Sequence, residues 1–569
     1  MAEGNVSLIQ TSKVSLEVPD LGTVEGLCFD GKTSQYLGIP YAEIPGRFRR
    51  PKPAPKPWPG KLWDGTKFGP YHPQPPRDFY PIPVPERPWA NVPTTSETSC
   101  LNLNISVPSR PRDNRKPMPV MIFLHGGAFT YAAGSAAMYD SRVLADSSRD
   151  EGIPTIIVTI NYRLGVFGFL ASKEIQDYNQ KFGESGVGNY GIWDQVEALR
   201  WVQNHIAAFG GDAGRVTLFG QSAGSVSVNI HLSRDEPLFS SAIMQSGLMP
   251  LCGIMSIDQY QVIYEKTLQV LGISEDLSPE ERLEELLQID ESRLTASMMD
   301  VFITPVITLG LCDDGVLHEG PMPSWSDFGS FKAPAWCPRV MIGDAANECI
   351  IWNKAFRHMG YEDYVKQGAR LIGEANALQL FEIYGITEKL THSELFKTIE
   401  KFTTDGMYLA ANYDAIRAYP QCYAYHFDEP SPYENEWGGL AHHSLENVFI
   451  WAVLRHTLPP SQKEQSKRMT GLWLKFASGT NPWDQFGEEG NMMVFSQGRA
   501  DLVNEELDQN RGYKRWHQIR DLGLSEAFGK FADDICIRRY DILDVNFAPK
   551  AMEVTKDPIP STGGVLNIL

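Results

Sequence analysis

The stretch Phe209-Gly210-Gly211-Asp212-Ala213-Gly214-Arg215-Val216-Thr217-Leu218-Phe219-Gly220-Gln221-Ser222-Ala223-Gly224 decides the fold. Arg215 to Phe219 is a short apolar, β-branched run bounded by glycines, the pattern of a buried strand. It leads directly into Gly220-Gln221-Ser222-Ala223-Gly224, a G-x-S-x-G, and then into Ser225-Val226-Ser227-Val228, which can open a helix. A serine at a sharp strand-to-helix turn holds its Oγ exposed, in a backbone crowded enough to need glycine on both sides. The N-terminal N–H groups of the following helix point at the same spot. Short matches of this kind also arise at ordinary small-residue turns, so the neighbours decide the reading.

Upstream, Pro119 to Leu124 is another buried-strand run, and it ends in His125-Gly126-Gly127-Ala128-Phe129. Small residues there let backbone N–H groups approach a substrate oxygen, as an oxyanion hole requires. Asn161-Tyr162-Arg163, the run from Gly188 to Gln195, and Gln245-Ser246-Gly247 follow in order. Together these residues resemble the type-B carboxylesterases, the family of the cholinesterases and some fungal lipases. The resemblance spans roughly residues 20 to 485. It implies an α/β-hydrolase fold, in which a mostly parallel central sheet is flanked by helices and insertions form a gorge. It also implies a serine hydrolase that cleaves carboxylic esters through an acyl-enzyme.

The chain has 569 residues, enough for several domains. Because this fold grows by insertion into one sheet, a single domain over 1–569 is expected. A net charge of −19 argues against nucleic acid or an anionic membrane as partner. No stretch approaches the ~20 apolar residues of a membrane span, and the start lacks the basic and apolar regions of a signal peptide. A cytoplasmic enzyme acting on a small-molecule ester is expected, and the sequence leaves its oligomeric state open. Secreted family members staple a loop near the entrance with a disulfide. Cys100 matches the second cysteine, but His72 stands at the first, leaving Cys28 as the only substitute partner. Free, core-packed thiols in a reducing compartment are therefore expected, with the sequons at Asn5 and Asn104 idle. No Cys or His cluster has ligand spacing, so neither a metal nor an organic cofactor is expected.

Residues 15 to 41 alternate as an N-terminal β-meander. Residues 51–100 are a proline-rich segment, which the resemblance makes a gate loop walling the gorge, with Trp89 at its mouth. The family's acidic pair before Cys100 is Thr98-Ser99 here. Glu97 lies one residue earlier, a departure that counts against the family's buried ion pair with Arg47. Arg163 and Asp194 form a second structural pair by the same resemblance. Residues 255–300 and 361–415 read as helical insertions over the site, the first carrying a capping box at Ser278-Pro279-Glu280-Glu281. Residues 546–569 form a polar C-terminal tail.

A serine needs a base, and the base needs an acid to orient it; in this fold they follow in the order Ser, Asp or Glu, His. Arg339 to Ile342 is a strand run ending in Gly343-Asp344-Ala345-Ala346-Asn347-Glu348. The family spacing selects Glu348, with Asp344 as rival. In Leu440-Ala441-His442-His443-Ser444-Leu445-Glu446, His443 has the family's alanine two residues before it and acid three after. Ser222, Glu348 and His443 are thus the expected triad. Gly127 and Ala128, by resemblance, and Ala223, because it follows the nucleophile, supply the oxyanion hole. Trp89, Gln221, Phe129 and His442 are expected around the substrate. Gln221 departs from the family's frequent glutamate, weakening any preference for cations. An acyltransferase or product-releasing enzyme could use the same triad. A non-catalytic adhesion module fits poorly with an intact Ser222 and Glu348.

Overall fold

The apolar runs of the sequence become neighbours in one thirteen-stranded sheet. In the computed structural model, residues 10–76, 81–110, 116–302 and 309–544 are described. The sheet strands are β1 (Thr11–Val18), β2 (Gly22–Phe29), β3 (Thr33–Pro40), β4 (Leu62–Asp64), β5 (Asn102–Pro108), β6 (Met118–Leu124) and β7 (Ile156–Ile160). They continue with β8 (Gly211–Gln221), β9 (Ser241–Gln245), β10 (Arg339–Ala345), β11 (Tyr423–Phe427), β12 (Met492–Ser496) and β13 (Arg499–Val503). Their spatial order is β1-β2-β3-β5-β7-β6-β8-β9-β10-β11-β12-β13, with β4 beside β2.

From β7 to β12 every neighbour is parallel. The strands β6, β7 and β9 are buried at every residue. Parallel strands are covered on both faces, which is why they read as unbroken apolar runs. The meander at the other end alternates instead, because β1, β2, β3 and β5 pair antiparallel and β1 keeps one face wet. Two helices carry the central connections. α1 (Tyr190–His205) turns Ile192, Val196, Leu199 and Val202 into the core at helical spacing, and α2 (Ala223–Leu232) is buried along its whole length.

Two buried arginines brace this frame. Arg163, at the end of β7, donates to both carboxylate oxygens of Asp194 on α1, from Nε at 2.8 Å and Nη2 at 2.7 Å. Asp194 also accepts the Arg163 N–H, and Nη1 reaches the Arg49 carbonyl. Arg47 finds its acid in Glu97, through two bonds of 2.7 and 2.6 Å. The one-residue offset is absorbed because the Glu97 N–H is itself held by Glu291 at 2.9 Å. Nη1 of Arg47 meanwhile caps the carbonyls of Leu286 and Ile289. The first helical insertion is thereby tied to the proline-rich segment.

That segment is less irregular than its prolines suggest. Leu62–Asp64 joins the sheet as β4, and Tyr71 bridges Thr95. The insertions are helical as read, and Ser278 and Glu281 form the expected reciprocal cap. All eight cysteines are free thiols, so Cys28 and Cys100 do not pair. Asn104 is fully buried in β5, bonded to Gly38 and Thr159, which leaves its sequon out of reach. Asn5 and the 546–569 tail lie outside the described residues.

Asp194→Ala should lower stability by about 3–5 kcal/mol, since it strands a buried guanidinium. The check is the thermal midpoint of the variant. A midpoint equal to wild type would refute the bracing role.

Candidate active site

Gln221 ends β8 and Ala223 begins α2, so Ser222 alone makes the corner between them. Its backbone stands at φ 58°, ψ −126°, a conformation that costs a non-glycine residue roughly 1–3 kcal/mol. Two features hold it there. The Ser222 N–H donates to the Gln245 carbonyl at 2.9 Å. The helix is also pressed so close to the strands that a Cβ on Gly224 would overlap the Leu124 carbonyl, and one on Gly220 the Gly224 carbonyl. Ser222 is left half-exposed among otherwise buried residues.

The segment His125–Ala128 comes off the end of β6 and folds against this corner. A Cβ on Gly126 would stand 2.9 Å from both the Ser222 Cβ and the Gln221 Oε1. Gly127 (φ 107°), Ala128 (φ 54°) and Phe129 (φ 54°) all have positive φ. Positive φ at two successive non-glycine residues marks a tightly constrained turn. The carbonyl of Gly127 accepts from Thr130 and Tyr131, closing the turn. From the proline-rich segment, the Gln74 side chain clamps Ala132 through both its N–H (2.7 Å) and its carbonyl (3.0 Å). Ala223 is the first residue of α2, where N–H groups have no partner within the helix.

β10 delivers Glu348 and the segment after β11 delivers His443, both at the carboxyl ends of parallel strands where open α/β sheets place their sites. Glu348 is fully buried. One oxygen accepts the Ala345 N–H at 2.7 Å, and the other bonds Nδ1 of His443. Asp344 has a different partner: it bonds Nδ1 of His426 at 2.5 Å and accepts from Asn412 at 3.1 Å. Glu348 therefore faces His443 and Asp344 faces His426. Of the adjacent histidines, only His443 bonds Glu348. His442 turns its Nδ1 to the His443 carbonyl (3.0 Å) and its ring edge to Trp437. Burial drives His442 down to about 4, so it is neutral.

Three features had no reading in the sequence. The Gln221 amide nitrogen lies 3.1 Å from Nε2 of His443. A π-helical turn, Asp405–Leu409, in the second insertion sets Tyr408 against the His443 ring at 5.4 Å. Lastly, burial and then the nearby Glu348 charge push the carboxyl of Glu446 up to about 8, which the Gln245 amide only partly offsets. Glu400, bonded to Asn347 next to Glu348, is pushed up to about 7 by burial. The acid three after His443 was visible as a landmark, but its burial was not.

Of the expected pocket residues, Gln221 and His442 adjoin the base. Phe129 is fully buried and stacked on Phe169 at 4.4 Å, which makes it core packing. Trp89 packs on Phe29 and Phe68. Those contacts are a ring lodged between the meander and the proline-rich segment. Among the described residues no three His, Cys, Asp or Glu side chains are grouped to hold a metal, and no helix is long and apolar enough to cross a membrane.

The model of the carboxylesterase family matches residues 10–510. The chain belongs to that family. It is 27% identical to Lipase 3 of Yarrowia lipolytica over 531 residues, covering 90% of this chain and 98% of that protein. It is 29% identical to the para-nitrobenzyl esterase of Bacillus subtilis over 521 residues, 86% of this chain and 96% of that one. A solved PNB esterase superposes with a TM-score of 0.69 at 27% identity, covering 88% of this chain and 99% of its own. A Geobacillus stearothermophilus carboxylesterase gives 0.70 at 26%, with the same coverages. Family and fold together make this carboxylesterase a carboxylic-ester hydrolase built on the α/β-hydrolase sheet.

Glu446 yields a prediction with a definite sign. Its folded value of about 8 lies above the ordinary 4.5. Its contribution is therefore fully present below about 4.5 and is lost as pH rises through 8. Wild type should lose thermal stability between pH 5 and 8.5, and Glu446→Gln should lose distinctly less. Parallel losses in the two proteins would contradict a protonated Glu446.

Proposed function

We propose that the enzyme cleaves its ester by nucleophilic attack of Ser222, with His443 as base and Glu348 as the acid that orients it. The observation that carries this is the bond between Glu348 and Nδ1 of His443, whose Nε2 lies 3.1 Å from the amide of Gln221, the residue before Ser222.

With Nδ1 protonated toward Glu348, Nε2 carries the lone pair. It takes the Ser222 proton while Oγ forms a bond to the ester carbonyl carbon. The carbonyl π electrons move onto oxygen, which the N–H groups of Gly127, Ala128 and Ala223 receive. Collapse breaks the bond to the alkoxy oxygen, and His443 returns its proton to that oxygen, releasing the alcohol. Water then gives a proton to His443 and adds to the acyl carbon. The second collapse releases the carboxylic acid and restores the Ser222 hydroxyl. Glu348 stays ionised throughout and stabilises the imidazolium that forms twice. The corner of Ser222 is preformed, so little reorganisation is needed as charge develops.

The substrate is a small-molecule carboxylic ester. Tyr408 brings the second insertion to the side of the base, which supports the reading that this insertion shapes the pocket. The eight free thiols, all but Cys28 buried, support a reducing compartment.

Labelling with a fluorophosphonate should occur in wild type and vanish in Ser222→Ala. His443→Ala should lower kcat by about 10⁴- to 10⁶-fold, the scale of losing a triad member. His442→Ala should cost about tenfold or less, below the range for a lost general base. A larger loss from His442→Ala, with both variants folded, would move the base to the neighbouring position.

A further inference from the structure

We propose that Gln221 is a positioning residue for the base, donating to Nε2 of His443 between turnovers and keeping fixed charge away from the leaving alcohol. The proposal rests on the triad reading above and deepens it.

The geometry is specific. The Nδ1 proton of His443 is committed to Glu348, so Nε2 of the neutral ring has one in-plane lone pair and can only accept. The Gln221 amide nitrogen stands 3.1 Å from that lone pair, in a buried setting, and donates to it. The other end of the amide, Oε1, lies over Gly126, where an added Cβ would approach to 2.9 Å. One side chain therefore spans from the oxyanion segment to the accepting nitrogen of the base, next to the nucleophile in sequence.

Two consequences follow. First, the Ser222 hydroxyl and the Gln221 amide want the same lone pair. The amide stabilises the neutral imidazole, the form that can take a proton. Once Nε2 carries the serine proton, an N–H of Gln221 would face another N–H. The amide then has to turn so that Oε1 accepts, and Gly126, lacking a Cβ, leaves the space for it. Second, the alcohol leaves from the position where Nε2 returns its proton. The group beside that position is an uncharged amide. A carboxylate there could never donate to Nε2; it would favour the imidazolium and attract a cationic alcohol. The enzyme is accordingly matched to esters of uncharged alcohols.

Other titratable groups around His443 are the same in any Gln221 variant. Glu348 faces it from the turn after β10, Tyr408 from the π-helical turn, and His442 from the adjacent position. Glu446 and Glu400 lie behind Glu348 and Asn347.

The test is the pH profile of kcat/KM for a neutral aryl ester in wild type, Gln221→Met and Gln221→Glu, with Ser222→Ala as control. Activity falls at low pH as the base is protonated. Losing the donor should raise the acid limb by roughly half a unit in Gln221→Met and lower kcat about 3- to 10-fold. Gln221→Glu should raise the limb further, by about one unit or more. It should also raise the kcat/KM ratio of choline acetate over 3,3-dimethylbutyl acetate about tenfold. Either variant alone decides, should the other not fold. Acid limbs that overlay wild type in a folded variant, with an unchanged ester ratio, would make Gln221 merely structural and overturn the proposal. Full activity in Ser222→Ala would instead overturn the triad reading, so the two failures are distinguishable.

Discussion

Everything in this site depends on how closely α2 is pressed against the ends of β6 and β8. Ser222 occupies its positive-φ corner because Gly220 and Gly224 have no side chains to separate strand, helix and neighbouring strand. A β-carbon at either position would push the helix away and let Ser222 relax to an ordinary conformation. The corner also lies close against the segment after β6, since a Cβ added at Gly126 would stand 2.9 Å from the Ser222 Cβ. Strain at one residue is thus held in place by clearance at its neighbours, in the way functional strain is usually over-determined.

The frame around that corner is set by buried charge as well as apolar packing. Arg163 has each of its donating faces occupied, by Asp194 and by the Arg49 carbonyl. Complete satisfaction is the condition under which a buried ion pair is tolerable. The pair joins the end of β7 to the first turns of α1, the helix that leads into β8. Arg47 and Glu97 do the same work further out, joining the first insertion to the proline-rich segment. Gln74 then carries that constraint inward to Ala132, just beyond the turn closed by the Gly127 carbonyl.

What the sequence disclosed follows from which signals are local. The strand preceding Ser222, the helix after it and the cap at Ser278 are written in consecutive residues, and all are present. The expectation of Glu348 over Asp344 rested on family spacing, because one acid lies at the end of β10 and the other just after it. What separates them physically is His426, contributed from the neighbouring strand β11 and 82 residues away in sequence. Such a pairing has no local signature. The same holds for the π-helical turn at Tyr408, which interrupts a run that reads as ordinary helix, and for the burial of Glu400 and Glu446. Trp89 was a matter of spacing from Cys100, but its partners Phe29 and Phe68 are set by how the meander packs. Spacing along a chain says little about a ring in an irregular segment.

Charge near the base is also decided by burial and not by composition. The chain carries a net charge of −19, and several carboxyls lie close to His443 or its acid. Yet Glu446, raised to about 8, is largely protonated at neutral pH, and Glu400, raised to about 7, is near its midpoint. Asp344 is committed to His426, and position 221 holds an amide where related enzymes often place an acid. The imidazole therefore faces one dedicated carboxylate, Glu348, held by the Ala345 N–H. A second full negative charge nearby would stabilise the imidazolium and so leave less neutral imidazole to take the serine proton. With the surrounding charges suppressed, one acid orients the ring, which is the electrostatic condition that the proposed attack by Ser222 requires.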